Sequence, residues 1–214
     1  MKLVVTILIW TLSQSAYSQD NTLLKVHFLY GSKPRKAYRD TERKWFGGKL
    51  GGHVGIEYED GLILSFMRKG KIHLFPRKKD KHSHYGKHTH DAFYGLFGSD
   101  PGNVKKAVLT IPITQSQKKK CDSIANVYLK HTPYDYAFFG MRCAAAAYEI
   151  LGQVNIVPCL RSGAVVRRIF YPRRLRTILF RQASQNGWRI ETGNGSIKRI
   201  WEADKLKSSP HNAR

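Results

Sequence analysis

The stretch from Tyr134 to Gly152, YDYAFFGMRCAAAAYEILG, constrains the fold more than any other part of the chain. Ala144 to Leu151 has high helix propensity, and Gly152 can adopt the left-handed conformation that ends a helix. The pattern therefore predicts a helix with Cys143 in its first turn. Free N–H groups and the helix dipole there favour a thiolate and can bind an oxyanion, so we expect a lowered thiol pKa. The alternative is a small buried core cysteine.

A histidine far upstream is the expected partner of this thiol. His53 opens an apolar stretch, GGHVGIEYEDGLILSF over Gly51 to Phe66, in which Asp60-Gly61 predicts a hairpin turn between two strands. An imidazole that reaches the sulfur would act as its general base. The two stretches together predict a Cys-His pair whose members are 90 residues apart.

These two stretches resemble the NlpC-type papain-like cysteine peptidases and amidases. Gly52-His53-Val54-Gly55-Ile56 is similar to the histidine strand of that family. The alanine-rich helix preceded by Tyr134 and Tyr136 is similar to its nucleophile helix. Because the histidine comes before Cys143, the order resembles the circularly permuted branch that includes the lecithin retinol acyltransferase-like enzymes. Chain order does not affect the chemistry, since a catalytic triad is defined by geometry.

Three polar positions near the pair affect its expected chemistry. The family's third catalytic residue lies twelve positions after the histidine, and Ser65 stands there. Its hydroxyl can accept a hydrogen bond from a ring N–H but brings no charge to stabilise an imidazolium. Glu57 shares a strand face with His53, but four strand steps separate the two backbones by roughly 13 Å, so we expect no direct contact. Arg142 stands where the family commonly has Asn or Asp, and a cation there would favour the thiolate or be solvated.

The resemblance covers roughly residues 24–152. It implies an α+β papain-like fold in which an antiparallel sheet packs against the cysteine helix, and we expect an additional C-terminal helix and hairpin. It implies a cysteine hydrolase that acts on peptide amides of bacterial cell wall or on acyl chains of a lipid, without a cofactor. The site residues are, for catalysis, Cys143, His53 and Ser65 and, for substrate binding, Tyr134, Tyr136 and Arg142, although the tyrosines could equally fill the core.

The first 18 residues predict a cleaved signal peptide. Lys2 supplies the positive end, Leu3 to Leu12 is an apolar run too short to span a bilayer, and Ala16-Tyr17-Ser18 is a small-x-small cleavage site. A buried first strand or a membrane anchor is the alternative. We expect the mature protein to begin at Gln19 and to be periplasmic or secreted.

The remaining chain has the length of one domain, which we place over residues 19–206, followed by a disordered tail over 207–214. Lys and Arg outnumber Asp and Glu by 37 to 15, a net charge of +22 spread along the sequence. Such a charge attracts anionic polymers or membrane surfaces, and export makes nucleic acid an unexpected partner. The charge therefore supports a second interpretation, a catalytically silent module that binds an anionic wall or membrane polymer.

Four histidines, His82, His84, His88 and His90, form the pattern H-x-H-x3-H-x-H inside a lysine-rich stretch. Imidazoles at this spacing can bind zinc or copper, but the neighbouring cations oppose a dication. We therefore predict a mobile surface loop over residues 77–90 and no metal site.

Local patterns predict the other elements. They indicate strands over residues 23–30, 72–75 and 105–114, helices after Thr114 and from Pro172, and a hairpin around Gly193-Asn194-Gly195. His73, on the second of these strands, is another candidate to orient His53. Three cysteines in an exported protein allow a Cys121–Cys159 disulfide that leaves Cys143 free, either of the other two pairings, or three free thiols.

Overall fold

The structure, a computed structural model, describes residues 22–45, 47–98, 100–202 and 204 of the 214-residue chain. Within these residues the fold is α+β, with a six-stranded antiparallel sheet, a two-stranded sheet and five α-helices. The strands are β1 (Thr22–Tyr30), β2 (Ser32–Pro34), β3 (Gly52–Glu59), β4 (Leu62–Arg68), β5 (Ser83–His88), β6 (Lys106–Ile113), β7 (Arg189–Gly193) and β8 (Arg199–Trp201). The helices are α1 (His90–Tyr94), α2 (Gln115–Lys130), α3 (Cys143–Gln153), α4 (Ser162–Arg168) and α5 (Pro172–Asn186). The predicted signal peptide (1–18) and tail (207–214) lie outside the described residues.

The large sheet has the strand order β5-β4-β3-β1-β6-β7 and is covered on both faces. Successive side chains of a strand point to opposite faces. Phe28 of β1 packs against Phe180 of α5, with ring centroids 6.2 Å apart. The preceding residue, His27, packs against Phe93 of α1, with centroids 6.1 Å apart. Helix α5 therefore lies on one face of the sheet and α1 on the other.

Helix α3 is the central helix of the fold. Nine of its residues are buried, among them all four alanines from Ala144 to Ala147. Strands β3 and β4 and helices α4 and α5 surround it. A helix that is apolar over most of its surface must be largely enclosed by protein, and alanine side chains let it approach the sheet closely. The N-terminus of α3, with Cys143, is consequently held inside the molecule.

Several predicted elements are confirmed. The hairpin of β3 and β4 turns at Asp60-Gly61, where Gly61 has a positive φ of 74°. Thr114 and Gln117 form the capping box of α2. Pro172 occupies the first turn of α5, and Gly187 ends that helix in the left-handed conformation.

The prediction for residues 72–90 is wrong. The segment 72–75 forms no strand, and His73 instead makes an isolated bridge and a 2.5 Å contact to the buried carboxylate of Asp135. The expected surface loop contains β5, which pairs with β4 in the register Ser65↔Gly86. Backbone pairing with β4 and burial of Tyr85 account for a strand that its polar sequence does not indicate.

The predicted C-terminal hairpin is also wrong. Strand β7 pairs with β6, whereas β8 pairs with β2 in the register Ser32↔Trp201. Trp201 is buried, packs against Trp45 and donates its indole N–H to the carbonyl of Ser196. Pairing of β8 with β7 would leave Trp201 with little surface to pack on, because β7 exposes most of its residues. Burial of Trp201 in the second sheet therefore outweighs the preference of the glycines for a hairpin turn.

Candidate active site

A cavity of about 800 Å³ opens at the N-terminal end of α3. Cys143, His53, Tyr136 and Arg142 all contribute to its wall. The sheet positions the histidine, because β3 pairs with β1 in the register Leu29↔His53, and the packing of α3 on β3 positions the cysteine. The fold therefore places the two predicted catalytic residues, 90 positions apart in the sequence, in the wall of one cavity, but among the described residues Nε2 of His53 has no hydrogen-bond partner and so makes no hydrogen bond with the sulfur.

Burial controls the protonation of the thiol. It raises the pKa of Cys143 to about 11, although the positive charge of Arg142 and hydrogen bonds from the N–H groups of Val54 and Ala144 act in the opposite direction. The predicted lowering of the thiol pKa is therefore wrong in sign. The helix N-terminus does supply an N–H group. Enclosure of α3 removes water that would stabilise a thiolate, however, and the N–H groups replace only part of that stabilisation.

The imidazole is neutral for the same reason. Burial, with a smaller contribution from the charge of His88, lowers the pKa of His53 to about 3. A neutral ring has one nitrogen with a free lone pair, which is the form that accepts a proton. The site at rest therefore contains a neutral thiol and a neutral imidazole.

Three neighbouring strands each bring a polar side chain to the same sheet face. Glu57 of β3 pairs with Ile63 of β4, so their side chains lie on the same face of the sheet. His53 is an even number of residues from Glu57, and Ser65 is an even number from Ile63, so both lie on that face as well. His88, opposite Ile63 on β5, lies on that face too. Among the described residues, Nε2 of His53, Oγ of Ser65 and Nε2 of His88 are buried without a hydrogen-bond partner. They form a row of polar atoms that begins at His53 and crosses β4 to β5.

Tyr136 bridges the backbone and the sulfur of the candidate nucleophile. Its hydroxyl accepts a hydrogen bond from the Cys143 N–H and donates one to Sγ. Burial raises the pKa of Tyr136 well above its usual range, so the hydroxyl keeps its proton. The structure thus places next to the sulfur a neutral hydrogen-bond donor that can stabilise negative charge as it develops.

Arg142 is half-buried rather than solvated. Its guanidinium stacks on the ring of Phe170, 3.2 Å from the centroid, and donates a hydrogen bond to the carbonyl oxygen of the same residue. The stacking fixes a positive charge beside the cavity. Cavity-lining cations also include Arg43, Lys44 and Arg68, and no carboxylate is among the described lining residues.

Two residues considered from the sequence lie elsewhere. The hydroxyl of Tyr134 is 2.6 Å from that of Tyr85 and donates to Glu149 at 2.5 Å, in a network outside the cavity lining. The carboxylate of Glu57 contacts Lys25 and two histidines, with no hydrogen bond to His53 among the described residues. His88 was considered from the sequence only as a metal ligand in a surface loop, and its place on the sheet face of His53 was not predicted; its alternation with His84 and His90 was the available signal.

The three cysteines are all free, and Cys143 is buried within the site while Cys159 is exposed. Within the described part of the chain, none of the helices combines the length and apolar character that crossing a membrane requires. No family model, no curated protein and no solved structure matches this chain.

Proposed function

We propose that this chain is a thiol hydrolase of the circularly permuted NlpC-type, papain-like architecture, close to its lecithin retinol acyltransferase-like branch. The observation that carries the proposal is the presence of Cys143 and His53 in the wall of one cavity, where Nε2 of the imidazole has no hydrogen-bond partner among the described residues. Burial keeps this ring neutral but also makes it a weak base, so proton transfer from the thiol must be coupled to attack on the substrate. The antiparallel sheet packed against the cysteine helix agrees with such an architecture.

The reaction begins as His53 takes the proton of Cys143 while Sγ attacks the carbonyl carbon of an amide or ester. The hydroxyl of Tyr136 donates to Sγ at rest; as the sulfur bonds to carbon, this hydroxyl turns to the oxyanion and stabilises it together with N–H groups around the sulfur. The C–N or C–O bond then breaks, and the imidazolium returns its proton to the leaving group. Water, deprotonated by the same imidazole, hydrolyses the thioester and restores the thiol.

Ser65 is the proposed third catalytic residue. Its buried, unpartnered hydroxyl lies on the sheet face of His53 and can accept a hydrogen bond from the ring N–H once the imidazole is charged. Because a hydroxyl adds no charge, the imidazolium would be stabilised less than by a carboxylate.

The cavity favours an anionic substrate. Its described lining has four cations and no carboxylate, beside aromatic and aliphatic side chains such as Phe97, Phe170 and Leu96. A peptide amide of cell wall with free carboxylates and an acyl chain on an anionic headgroup both fit this lining. An exported location suits the first, and we propose peptidoglycan peptides as the principal substrate class.

The test is incubation of the purified chain with peptidoglycan and, separately, with phospholipid vesicles, followed by mass spectrometry of released fragments. We expect Cys143→Ser to abolish release and His53→Ala to reduce it by roughly 10²–10⁴-fold, the usual contribution of a general base. Cys159→Ser, which alters an exposed thiol outside the cavity lining, is the matched control and should be fully active. Activity that survives Cys143→Ser would refute the mechanism.

A second candidate function is binding without catalysis. Leu74, Phe75, Phe138 and Phe139 are exposed, and Phe138 lies 5.7 Å from the guanidinium of Arg142 at the cavity. Exposed aromatic side chains beside basic ones are typical of surfaces that bind anionic interfaces. A module of this kind would hold an anionic wall or membrane polymer, and substitution of Cys143 would leave its binding unchanged.

A further inference from the structure

A second cluster of reactive side chains lies on the sheet face that carries His53, beneath helix α1. It consists of His27 on β1, Glu57 on β3 and His90 at the start of α1. The Nε2 atoms of the two histidines are 2.8 and 2.9 Å from the same carboxylate oxygen, Oε2 of Glu57. The two imidazole ring centroids are 5.1 Å apart. None of the three residues belongs to the cavity lining.

We propose that His27, Glu57 and His90 form a binding site for a divalent transition-metal ion, of which Zn²⁺ is the best fit. One ligand atom from each residue lies within 4.8 Å of the other two. A zinc ion binds imidazole nitrogen and carboxylate oxygen at about 2.0–2.2 Å, so small side-chain shifts bring all three into its coordination sphere. Two imidazoles with one carboxylate favour zinc, iron or cobalt over magnesium or calcium.

The surroundings orient two of the ligands toward one point. Nδ1 of His27 lies 2.8 Å from the hydroxyl of Tyr94, and an Nδ1–H donated to that oxygen leaves the Nε2 lone pair for a metal. The other carboxylate oxygen of Glu57, Oε1, accepts hydrogen bonds from Lys25 and from the Gly61 N–H. Oε2 is therefore the oxygen left for an ion.

Lys25 is the feature that could make this cluster a simple ion-pair network instead. Its ammonium lies 2.8 Å from Oε1, and its side chain is 36% exposed, so it can turn toward water when a dication binds. The two imidazoles share Oε2, the oxygen of Glu57 that the lysine does not contact. His90, with a side chain 47% exposed, leaves an open side at which water can complete the coordination.

The ion would connect three elements, β1, β3 and α1. Helix α1 has only five residues and carries Phe93, whose ring centroid is 5.5 Å from that of His53. A metal that fixes α1 would thus hold the wall against which the cavity histidine packs. The site does not depend on the thiol chemistry proposed above.

The test uses the full chain, stripped of metal with a chelator and then titrated with Zn²⁺. We expect one ion per chain, and a melting temperature about 5–10 °C higher once zinc exceeds its dissociation constant about 100-fold. Co²⁺ should bind at the same site and produce visible absorption bands, whereas Mg²⁺ and Ca²⁺ should change neither readout.

Three variants decide between a metal site and an ion-pair network. His90→Ala alters a partly exposed ligand and should weaken zinc binding at least tenfold, whereas His131→Ala, at an exposed histidine after α2, should not change it. Lys25→Met removes the competing cation, so zinc should bind as tightly as before or more tightly. The proposal is overturned if the chain binds no stoichiometric zinc, if His90→Ala binds it as tightly as the unaltered chain, or if Lys25→Met abolishes binding.

Discussion

A thiol and an imidazole buried in one cavity can rest as two neutral groups or as a thiolate and an imidazolium. Burial favours the neutral form of both groups in this cavity, with pKa values of about 11 for Cys143 and about 3 for His53. In the mechanism that we propose, the proton therefore moves during attack on the substrate rather than before it. The donors around the sulfur then stabilise the negative charge as it forms.

The reactivity of Cys143 toward a small alkylating reagent should reveal this resting state. With a pKa of about 11, only about one thiol in 10⁴ is ionised at pH 7, so labelling should be slow there and rise about tenfold per pH unit up to that pKa. Tyr136→Phe removes a hydrogen bond to the sulfur and should slow labelling further at every pH. The rate can be followed by mass spectrometry of the peptide that contains Cys143.

Cys159→Ser is the suitable background for that measurement, since it removes the exposed thiol. Burial also raises the pKa of the remaining cysteine, Cys121, to about 12, so its labelling should be slower still. Rapid labelling of Cys143 at neutral pH would contradict a neutral resting pair.

The protonation of His53 should also make the fold sensitive to acid. Between its ordinary value of 6.5 and its folded value of about 3, the unfolded chain binds a proton that the folded chain does not. Stability from this residue is complete well above pH 6.5 and falls as the pH decreases towards the folded pKa, by on the order of 5 kcal/mol in total. Urea unfolding at pH values from about 7 to about 4 should show a smaller loss for His53→Gln.

His131→Gln is the control for the acid experiment, since it changes an exposed histidine. Its loss of stability with decreasing pH should match that of the unaltered chain. If His53→Gln loses as much stability between about pH 7 and about pH 4 as the unaltered chain, protonation of His53 does not destabilise the fold and its pKa is not lowered.

At the scale of elements, the close approach of α1 to the sheet depends on Gly55. A Cβ at this position would lie 2.4 Å from Cγ2 of Ile63 and 2.8 Å from Cε2 of Phe93. Gly55→Ala should therefore displace α1 and lower the free energy of unfolding by about 1–3 kcal/mol. Gly163→Ala in α4 is the matched control, because no atom lies within 4 Å of its Cβ, and it should be neutral or stabilising by about 0.5 kcal/mol.

Urea unfolding measures both glycine variants. The close packing would be refuted if Gly55→Ala were as stable as Gly163→Ala. A perturbed α1 should also alter the environment of His53, since the Phe93 ring packs against the imidazole.

Elements with strong local patterns were predictable, and elements defined by distant partners were not. Helix α3 follows from its alanine run, and α2 and α5 follow from a capping box and a first-turn proline. Strands β5 and β8 have no comparable pattern. Strand β5 depends on pairing with β4, and β8 depends on β2, which lies more than 160 residues earlier in the chain.

The same distinction applies to the site. The helix-terminal position of Cys143 and the resemblance of the two stretches to a known family selected Cys143 and His53, which share a cavity, and their catalytic roles stay a prediction. The sign of the thiol pKa shift was not predictable, because it depends on how deeply α3 is enclosed by elements on both sides of it in the sequence. Tyr134 was predicted to bind substrate together with Tyr136. The structure places the Tyr134 hydroxyl in the network with Glu149, and only Tyr136, two residues later, lines the cavity.

At the scale of the whole molecule, positive charge and exposed aromatic side chains occur together at the cavity. The chain has a net charge of +22, and the described cavity lining contains cations without carboxylates. Phe75 and Phe139 stack with centroids 5.5 Å apart and are 64% and 52% exposed. Phe139 also packs against Phe138, whose ring centroid lies 5.7 Å from the guanidinium of the cavity-lining Arg142, so the aromatic pair adjoins the cavity wall.

This arrangement predicts binding to anionic lipid vesicles more strongly than to neutral ones. Salt should weaken the binding, because charges separated by more than about 10 Å are screened at about 0.1 M. Phe75→Ser and Phe139→Ser should each reduce affinity by about tenfold, through loss of apolar area that enters the interface. Val127→Ser, at an exposed apolar residue of α2, is the control and should bind normally. Vesicle sedimentation measures all three, and the aromatic pair has no part in binding if its variants behave like Val127→Ser.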